Sequence, residues 1–174
     1  MKQNIVIIGA GKIGRGFVAD IFHNAGYSIT FVDADRQLVQ SLNAGGEYPL
    51  ISIPPSGEKR ETTIDKFTAL HSGEEREAVI SALEEAPLVA VAVFTEAFPA
   101  VTELVAEAIT RRAGRTGQSA PEGAGAFNII VCANVADHIY STISILLTNR
   151  LHHAERILLN VDFYADNVEA MVTR

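Results

Sequence analysis

Gly9, Gly11 and Gly14 are spaced as G-x-G-x-x-G within the stretch Gly9-Ala10-Gly11-Lys12-Ile13-Gly14-Arg15-Gly16-Phe17. That spacing suits one kind of chemistry, the holding of an anion by bare main chain. The first glycine permits a tight turn. The second lets backbone approach a pyrophosphate, and the third lets a helix pack close to a strand. The free amides and positive dipole end of that helix then hold the negative charge. Ala10, Lys12 and Ile13 complete the turn. Lys12 and Arg15 flank it, either to neutralise the anion or to sit on a solvated helix face.

Asp33 offers the second chemistry. It ends the extended segment Ser28-Ile29-Thr30-Phe31-Val32, 19 positions beyond Gly14. An acidic residue roughly 20 positions on accepts hydrogen bonds from adenosine ribose hydroxyls. A 2′-phosphate there would meet the carboxylate head-on. Two unit charges ~4 Å apart repel by about 4 kcal/mol at an effective dielectric near 20, which favours NAD over NADP. Arg36 acts in either direction, covering the adenine or greeting a phosphate. Asp33 also reads as a simple helix N-cap, a role Asp35 fits better.

Phe94-Thr95-Glu96 and Asn134 follow later strands, where residues lie over the nicotinamide side of the crevice. Phe94 is an apolar wall there, and Thr95 is expected to cap the next helix. Asn134 either orients nicotinamide or substrate, or serves as a turn residue. No residue declares itself as a general base, and no catalytic residue is assigned. The five histidines form no metal-ligand spacing, and no metal site is expected. Cys132 reads as an inert core thiol. Asp162, Asp166 and Glu169 read as part of a polar terminal segment.

The elements that must position these residues are legible as alternating strands and helices. Strand one runs from about Asn4 to Ile8. A helix from Ile13 to Asn24 carries Ile13, Phe17, Val18, Ile21 and Phe22 on one face and stops at Ala25-Gly26. A second helix starts near Asp35 and stops at Asn43-Ala44-Gly45-Gly46. Glu47–Ile53 and Glu58–Ile64 flank Pro54-Pro55-Ser56-Gly57 as a hairpin. Phe67–Leu70 is a short strand, Glu74–Glu85 a helix, and Leu88–Val93 a strand buried on both faces. Ala97–Arg112 is a helix and Ala113–Ala126 a mobile loop. A strand at Phe127–Cys132, a helix at Asp137–Leu151 and a last strand at Ile157–Asp162 follow. The fold class is α/β: a doubly wound, mostly parallel sheet of the Rossmann kind, with a β-hairpin inserted after the second helix.

At 174 residues the default is a single dinucleotide-binding domain, 1–174. A formal charge of −7, without a basic run, argues against a nucleic-acid surface. No apolar run reaches the ~18 residues of a membrane span, and no signal-peptide pattern opens the chain. A single cysteine excludes an intrachain disulfide. A cytoplasmic protein is expected.

The glycine stretch through Phe17, followed by Thr30-Phe31-Val32-Asp33, resembles the amino-terminal domain of the mannitol-1-phosphate 5-dehydrogenase and polyol-specific long-chain dehydrogenase family. The likeness continues in the Tyr48-containing hairpin and in Asn128-Ile129-Ile130-Val131-Cys132-Ala133-Asn134, and ends in Asn160-Val161-Asp162. It implies NAD(P) as cofactor, NAD on the Asp33 argument, and hydride transfer between nicotinamide and a polyol phosphate. It also implies a second, mainly helical domain that supplies a catalytic lysine, with an Asn and a His nearby. This sequence has no counterpart of that domain, so the chain alone is expected to be inactive, completed by a companion catalytic chain or self-associated as a homo-oligomer. Three positions depart from the family: Ala133 replaces a glutamate, Asp166-Asn167 an Asp-Arg pair, and Phe94-Thr95-Glu96 a glycine-containing turn. These touch the polyol-phosphate contacts more than the NAD contacts. Two other readings stand beside this one: a non-catalytic NAD(H)-sensing regulatory module, as in domains that gate potassium transport, and a structural domain with an empty crevice.

Overall fold

The computed structural model describes residues 3–53, 57–116, 127–132 and 159–163; residues 116, 127 and 159–163 are described by backbone alone. β1 (Asn4–Ile8) leads into the glycine turn. Helix α1 opens as a wide π-helical stretch (Gly14–Val18) and continues as α-helix (Ala19–Asn24). There follow β2 (Ser28–Asp33), α2 (Arg36–Gly45), β3 (Tyr48–Ser52), β4 (Arg60–Ile64), β5 (Phe67–His71) and α3 (Arg76–Glu85). β6 (Leu88–Val91), a 3₁₀ turn (Thr95–Ala97), α4 (Phe98–Thr116), β7 (Phe127–Val131) and β8 (Leu159–Phe163) complete the described elements.

Six of the strands form one sheet in the order β5-β2-β1-β6-β7-β8. Every neighbouring pair in it is parallel. The order reverses direction at β1, where one half of the sheet grows through β2 and the other through β6. This is the expected doubly wound architecture, and its crevice opens at that reversal.

The strand sequences explain why the sheet is covered on both sides. In β1, Val6 and Ile8 join one apolar cluster with α3 and α4, while Ile5 and Ile7 join another with α1, α2 and the hairpin. A strand buried on both faces reads as a continuous apolar run, not an alternation. Helix α2 is delimited as its sequence dictates. The Asp35 carboxylate accepts the amides of Gln37 and Leu38, and Gly46 closes the helix at φ 70°, a conformation that suits glycine.

The hairpin of β3 and β4 forms its own antiparallel pair, with Tyr48 opposite Ile64 and Leu50 opposite Thr62. Ile64, Tyr48 and Leu50 turn toward the α1 side of the core, while Ile51 stays exposed. The Tyr48 ring packs against Phe31 and Phe67. On the far side of the hairpin, His23 Nε2 lies 2.7 Å from Asp65 Oδ1 and ties the end of α1 to the β4–β5 turn.

Several boundaries differ from the sequence reading by one to four residues, and two of them bear on the site and on the α3–α4 packing. β6 ends at Val91, before Val93, although the Ala92 amide still donates to the Ile8 carbonyl of β1 at 2.7 Å. Helix α4 continues through Thr116, past the Ala113 at which a loop was expected. Ala113 and Gly114 carry no strong stop, and contacts with α3 hold the last turns in place. Arg115 pairs with Glu84 at 2.9 Å, and Arg111 pairs with Glu77 and Glu107. The expected loop over 117–126 and helix over 137–151 lie outside the described residues. Among the described residues no helix is long and apolar enough to cross a membrane.

Arg112 ties α4 to α3 from a buried position. Its guanidinium donates to the Glu84 carbonyl at 2.8 Å and the Ala86 carbonyl at 2.6 Å. Those carbonyls lie at the end of α3, where helix acceptors lack intrahelical donors. Burial pushes the arginine pKa down from its ordinary value, yet the group stays a donor. Arg112→Ala is expected to cost about 3 kcal/mol, since it leaves buried carbonyls without their charged donor. Urea unfolding measures it; a loss below about 1 kcal/mol would show that water replaces the arginine there.

Candidate functional site

The site is built where β1 ends. The Gly9 amide donates to the Val32 carbonyl of β2 at 2.8 Å, and the Ala92 amide donates to the Ile8 carbonyl at 2.7 Å. The turn is thus pinned to both neighbouring strands at the point where the sheet order reverses. Gly9 has φ 99°, and a Cβ there would lie 2.4 Å from the Ala92 carbonyl oxygen. A Cβ on Gly14 would lie 1.9 Å from the Gly9 carbonyl oxygen. Both glycines are therefore demanded by the protein's own packing.

Gly11 is different. A Cβ placed on it meets nothing within 4 Å, and the residue is exposed. The fold does not need a glycine here. What the bare position preserves is open space directly above the main chain, at the start of a helix. The first bond of that helix runs from the Arg15 amide to the Gly11 carbonyl at 2.9 Å. The amides of Gly11, Lys12, Ile13 and Gly14 precede it, as the donors at any helix start do. Such a start accepts an anion.

Asp33 sits beside this turn at the end of β2. Its Oδ2 accepts the Ala10 amide at 2.7 Å and its Oδ1 accepts the Asp35 amide at 2.9 Å. Asp33 is not the N-cap of α2; Asp35 is. A carboxylate has about four lone-pair sites, so two bonds to backbone leave capacity for the two hydroxyls of a ribose. The Ser72 amide donates to the Asp33 carbonyl at 2.8 Å, placing the β5–α3 turn alongside.

The other expected residues are placed as follows. Ala10 is fully buried under the turn, Ile13 is half-buried against the core, and Lys12 is exposed at the mouth. Arg36 forms an ion pair with Glu74 on the β5–α3 turn. Phe94 is 87% exposed just beyond β6, at the other wall of the reversal point. Thr95 does not cap a helix: it opens the 3₁₀ turn and its hydroxyl donates to Glu96 Oε2 at 3.4 Å. The cap expectation fails because the chain enters α4 through that turn, with Thr95 already inside it. Cys132 is buried on the α1 side of the core, and burial pushes its thiol up to about 11, far from the reactive thiolate range. Asn134 lies outside the described residues.

Three contacts escape sequence reading. Arg15 turns back on the motif, donating from Nε to the Ala10 carbonyl at 2.5 Å. The Tyr48 hydroxyl donates to the Arg15 carbonyl at 2.8 Å. Glu74 occupies Arg36. Each interaction joins residues that no periodicity brings together; the only signal was a tyrosine at the start of an otherwise apolar hairpin strand.

The sheet order, the glycine turn at its reversal and the carboxylate at the end of β2 define a dinucleotide-binding Rossmann domain of the dehydrogenase class. The family model for the mannitol dehydrogenase Rossmann domain matches residues 3–173, and the chain belongs to that family of NAD-binding oxidoreductase domains. Mannitol-1-phosphate 5-dehydrogenase from Pyrenophora tritici-repentis (strain Pt-1C-BFP) is 40% identical over 111 residues, 64% of this chain and 28% of that protein. The enzyme of the same name from Enterococcus faecalis (strain ATCC 700802 / V583) is 33% identical over 133 residues, 76% of this chain and 33% of that protein. The chain thus spans about a third of the length of the curated relatives it matches. Among solved structures, octopine dehydrogenase in complex with NADH and agmatine superposes with a TM-score of 0.60 at 10% identity, covering 92% of this chain and 34% of that one. At that identity the likeness is one of fold.

Proposed function

We propose that this chain is the cofactor half of a polyol-phosphate dehydrogenase, binding NAD(H) across the reversal point of its sheet. The observation that carries the reading is the contrast within the glycine motif: Gly9 and Gly14 are required by contacts, whereas Gly11 guards empty space at the start of a helix. In this reading the pyrophosphate rests on the amides of Gly11, Lys12, Ile13 and Gly14, with Ala10 beneath them. Asp33 takes the adenosine ribose hydroxyls. Arg36 pairs with Glu74 at the surface beside this site. Phe94 and Thr95 border the nicotinamide side, and Asn134, two positions beyond Cys132 in sequence, is proposed to join them.

Bound NAD(H) supplies a hydride acceptor or donor at nicotinamide C4. The chain's own residues bind and orient it, and Phe94 excludes water from one side. The polyol phosphate and the proton are handled by residues of a second domain, as the relatives' length supports. The cofactor half alone is then inactive.

Asp33→Ala tests the site. NADH fluorescence titration is expected to show binding by the chain, a loss of about tenfold in Asp33→Ala, and a narrowed gap between NADH and NADPH, because the repulsion of the 2′-phosphate is removed. The same preparation is expected to give no turnover of mannitol 1-phosphate with NAD. Equal NADH affinity in the two proteins would remove Asp33 from the site. NADH binding without turnover, coupled to a stoichiometric protein partner, would favour the NAD(H)-sensing reading instead.

A further inference from the structure

We infer that Arg15 is a positioning residue of the dinucleotide site, setting the orientation of the Gly11 amide through the Ala10 carbonyl, with the hairpin insertion steadying it through Tyr48. The inference rests on the NAD reading above. Ala10 is held at both of its polar atoms: its amide by Asp33 Oδ2 at 2.7 Å and its carbonyl by Arg15 Nε at 2.5 Å. Its methyl is fully buried. The peptide joining Ala10 to Gly11 is planar and trans. Its carbonyl and its N–H point in opposite directions. Holding the carbonyl on the Arg15 side therefore aims the Gly11 N–H the other way.

Without that bond, Gly11 would be the least restrained residue of the motif. It lacks a side chain, and nothing packs on it. Arg15 is itself fixed at main-chain level. Its amide bonds the Gly11 carbonyl at 2.9 Å, and its carbonyl accepts the Tyr48 hydroxyl at 2.8 Å. This second bond falls within the π-helical stretch Gly14–Val18, where the Ala19 amide reaches back five residues to the Gly14 carbonyl. Tyr48 is anchored in turn by Phe31 and Phe67. Burial raises the tyrosine pKa, so the hydroxyl remains a donor throughout the ordinary pH range. The inserted hairpin thus reaches the anion turn through Tyr48, Arg15 and Ala10 in sequence.

The test compares Arg15→Met, Arg15→Lys and Tyr48→Phe with the unaltered chain, using NADH, ADP-ribose and adenosine as ligands. Arg15→Met is expected to weaken NADH and ADP-ribose about tenfold while leaving adenosine unchanged, because adenosine has no phosphate to seat on the turn. Arg15→Lys is expected to lose as much as Arg15→Met, since lysine keeps the charge but has no donor at the Nε position. Tyr48→Phe is expected to lose about threefold, with a shifted Gly11 amide resonance in an NMR spectrum of the unliganded protein. Full binding by Arg15→Met would overturn the inference. Restoration by Arg15→Lys would also overturn it, by showing that Arg15 acts as a charge on the phosphate. An equal loss of adenosine would show a general structural role and overturn it too. Should the unaltered chain bind neither NADH nor ADP-ribose, the NAD reading falls, and this inference with it. NADH binding by the unaltered chain that Arg15→Met leaves intact would sink this inference alone.

Discussion

Gly14→Ala is expected to lower the melting temperature by about 4–8 °C and to remove NADH binding with it. The added methyl would lie 1.9 Å from the Gly9 carbonyl oxygen, with the next nearest atom also main chain. No side chain can swing aside to make room. The helix must move off β1 by more than an ångström, or the turn must open. Overpacking a close contact costs about 1–3 kcal/mol, occasionally more, and a clash between two backbones belongs at the upper end. The roughly 1 kcal/mol that alanine gains over glycine inside a helix offsets only part of it. For a chain of this size, each kcal/mol shifts the midpoint by about 2–4 °C. Gly16→Ala is the matched control. There the methyl would touch only the Leu50 side chain, at 4.0 Å, and stability should hold or rise slightly. Differential scanning calorimetry of the two variants checks the contrast, and equal melting temperatures would refute the packing role assigned to Gly14.

The same pair of glycines shows what the sequence discloses and what it withholds. The spacing of Gly9 and Gly14, the apolar run of β1 and the acid closing β2 announce a strand–turn–helix with a carboxylate beside it, because each is a local demand on the backbone. Asp35 as N-cap and Gly46 as terminator are legible for the same reason. The hairpin shows in its Pro-Pro-Ser-Gly turn and the flanking extended runs. What does not show is set by contacts distant in sequence. The end of β6 at Val91 is one such feature, since nothing in an unbroken run from Leu88 to Val93 marks the exit. The extra turn of α4 is held by Arg115 on Glu84, not by its own Ala-Gly composition. Arg15 was readable as a basic residue near an anion site; that its guanidinium turns inward to Ala10 depends on side-chain geometry that a one-dimensional pattern does not carry. Arg36 was ambiguous for a like reason, and its partner Glu74 lies 38 positions away.

Gly11→Val is expected to abolish NADH binding and leave the fold untouched, the opposite split from Gly14→Ala. Gly11 lies outside the left-handed region in which a side chain would be strained, and a Cβ there meets no atom within 4 Å. A β-branched residue on an exposed helix start costs a few tenths of a kcal/mol at most. The melting temperature should therefore stay within about 2 °C of the unaltered chain. The ligand fares differently. Two methyl groups would occupy the space directly over the amides of Gly11 and Lys12, where the pyrophosphate must come within hydrogen-bond distance of main chain. Displaced by a methyl's thickness, the anion loses those charge-assisted bonds, each worth about 1.5–3 kcal/mol. A loss of about 3 kcal/mol or more is a hundredfold or greater weakening. Gly11→Ala, with one smaller group in the same place, should fall between, at about tenfold. NADH titration beside thermal melting separates the outcomes. A Gly11→Val protein that melted normally and bound NADH normally would show that the open space above this turn serves no dinucleotide, because no other property of the fold asks for a glycine there.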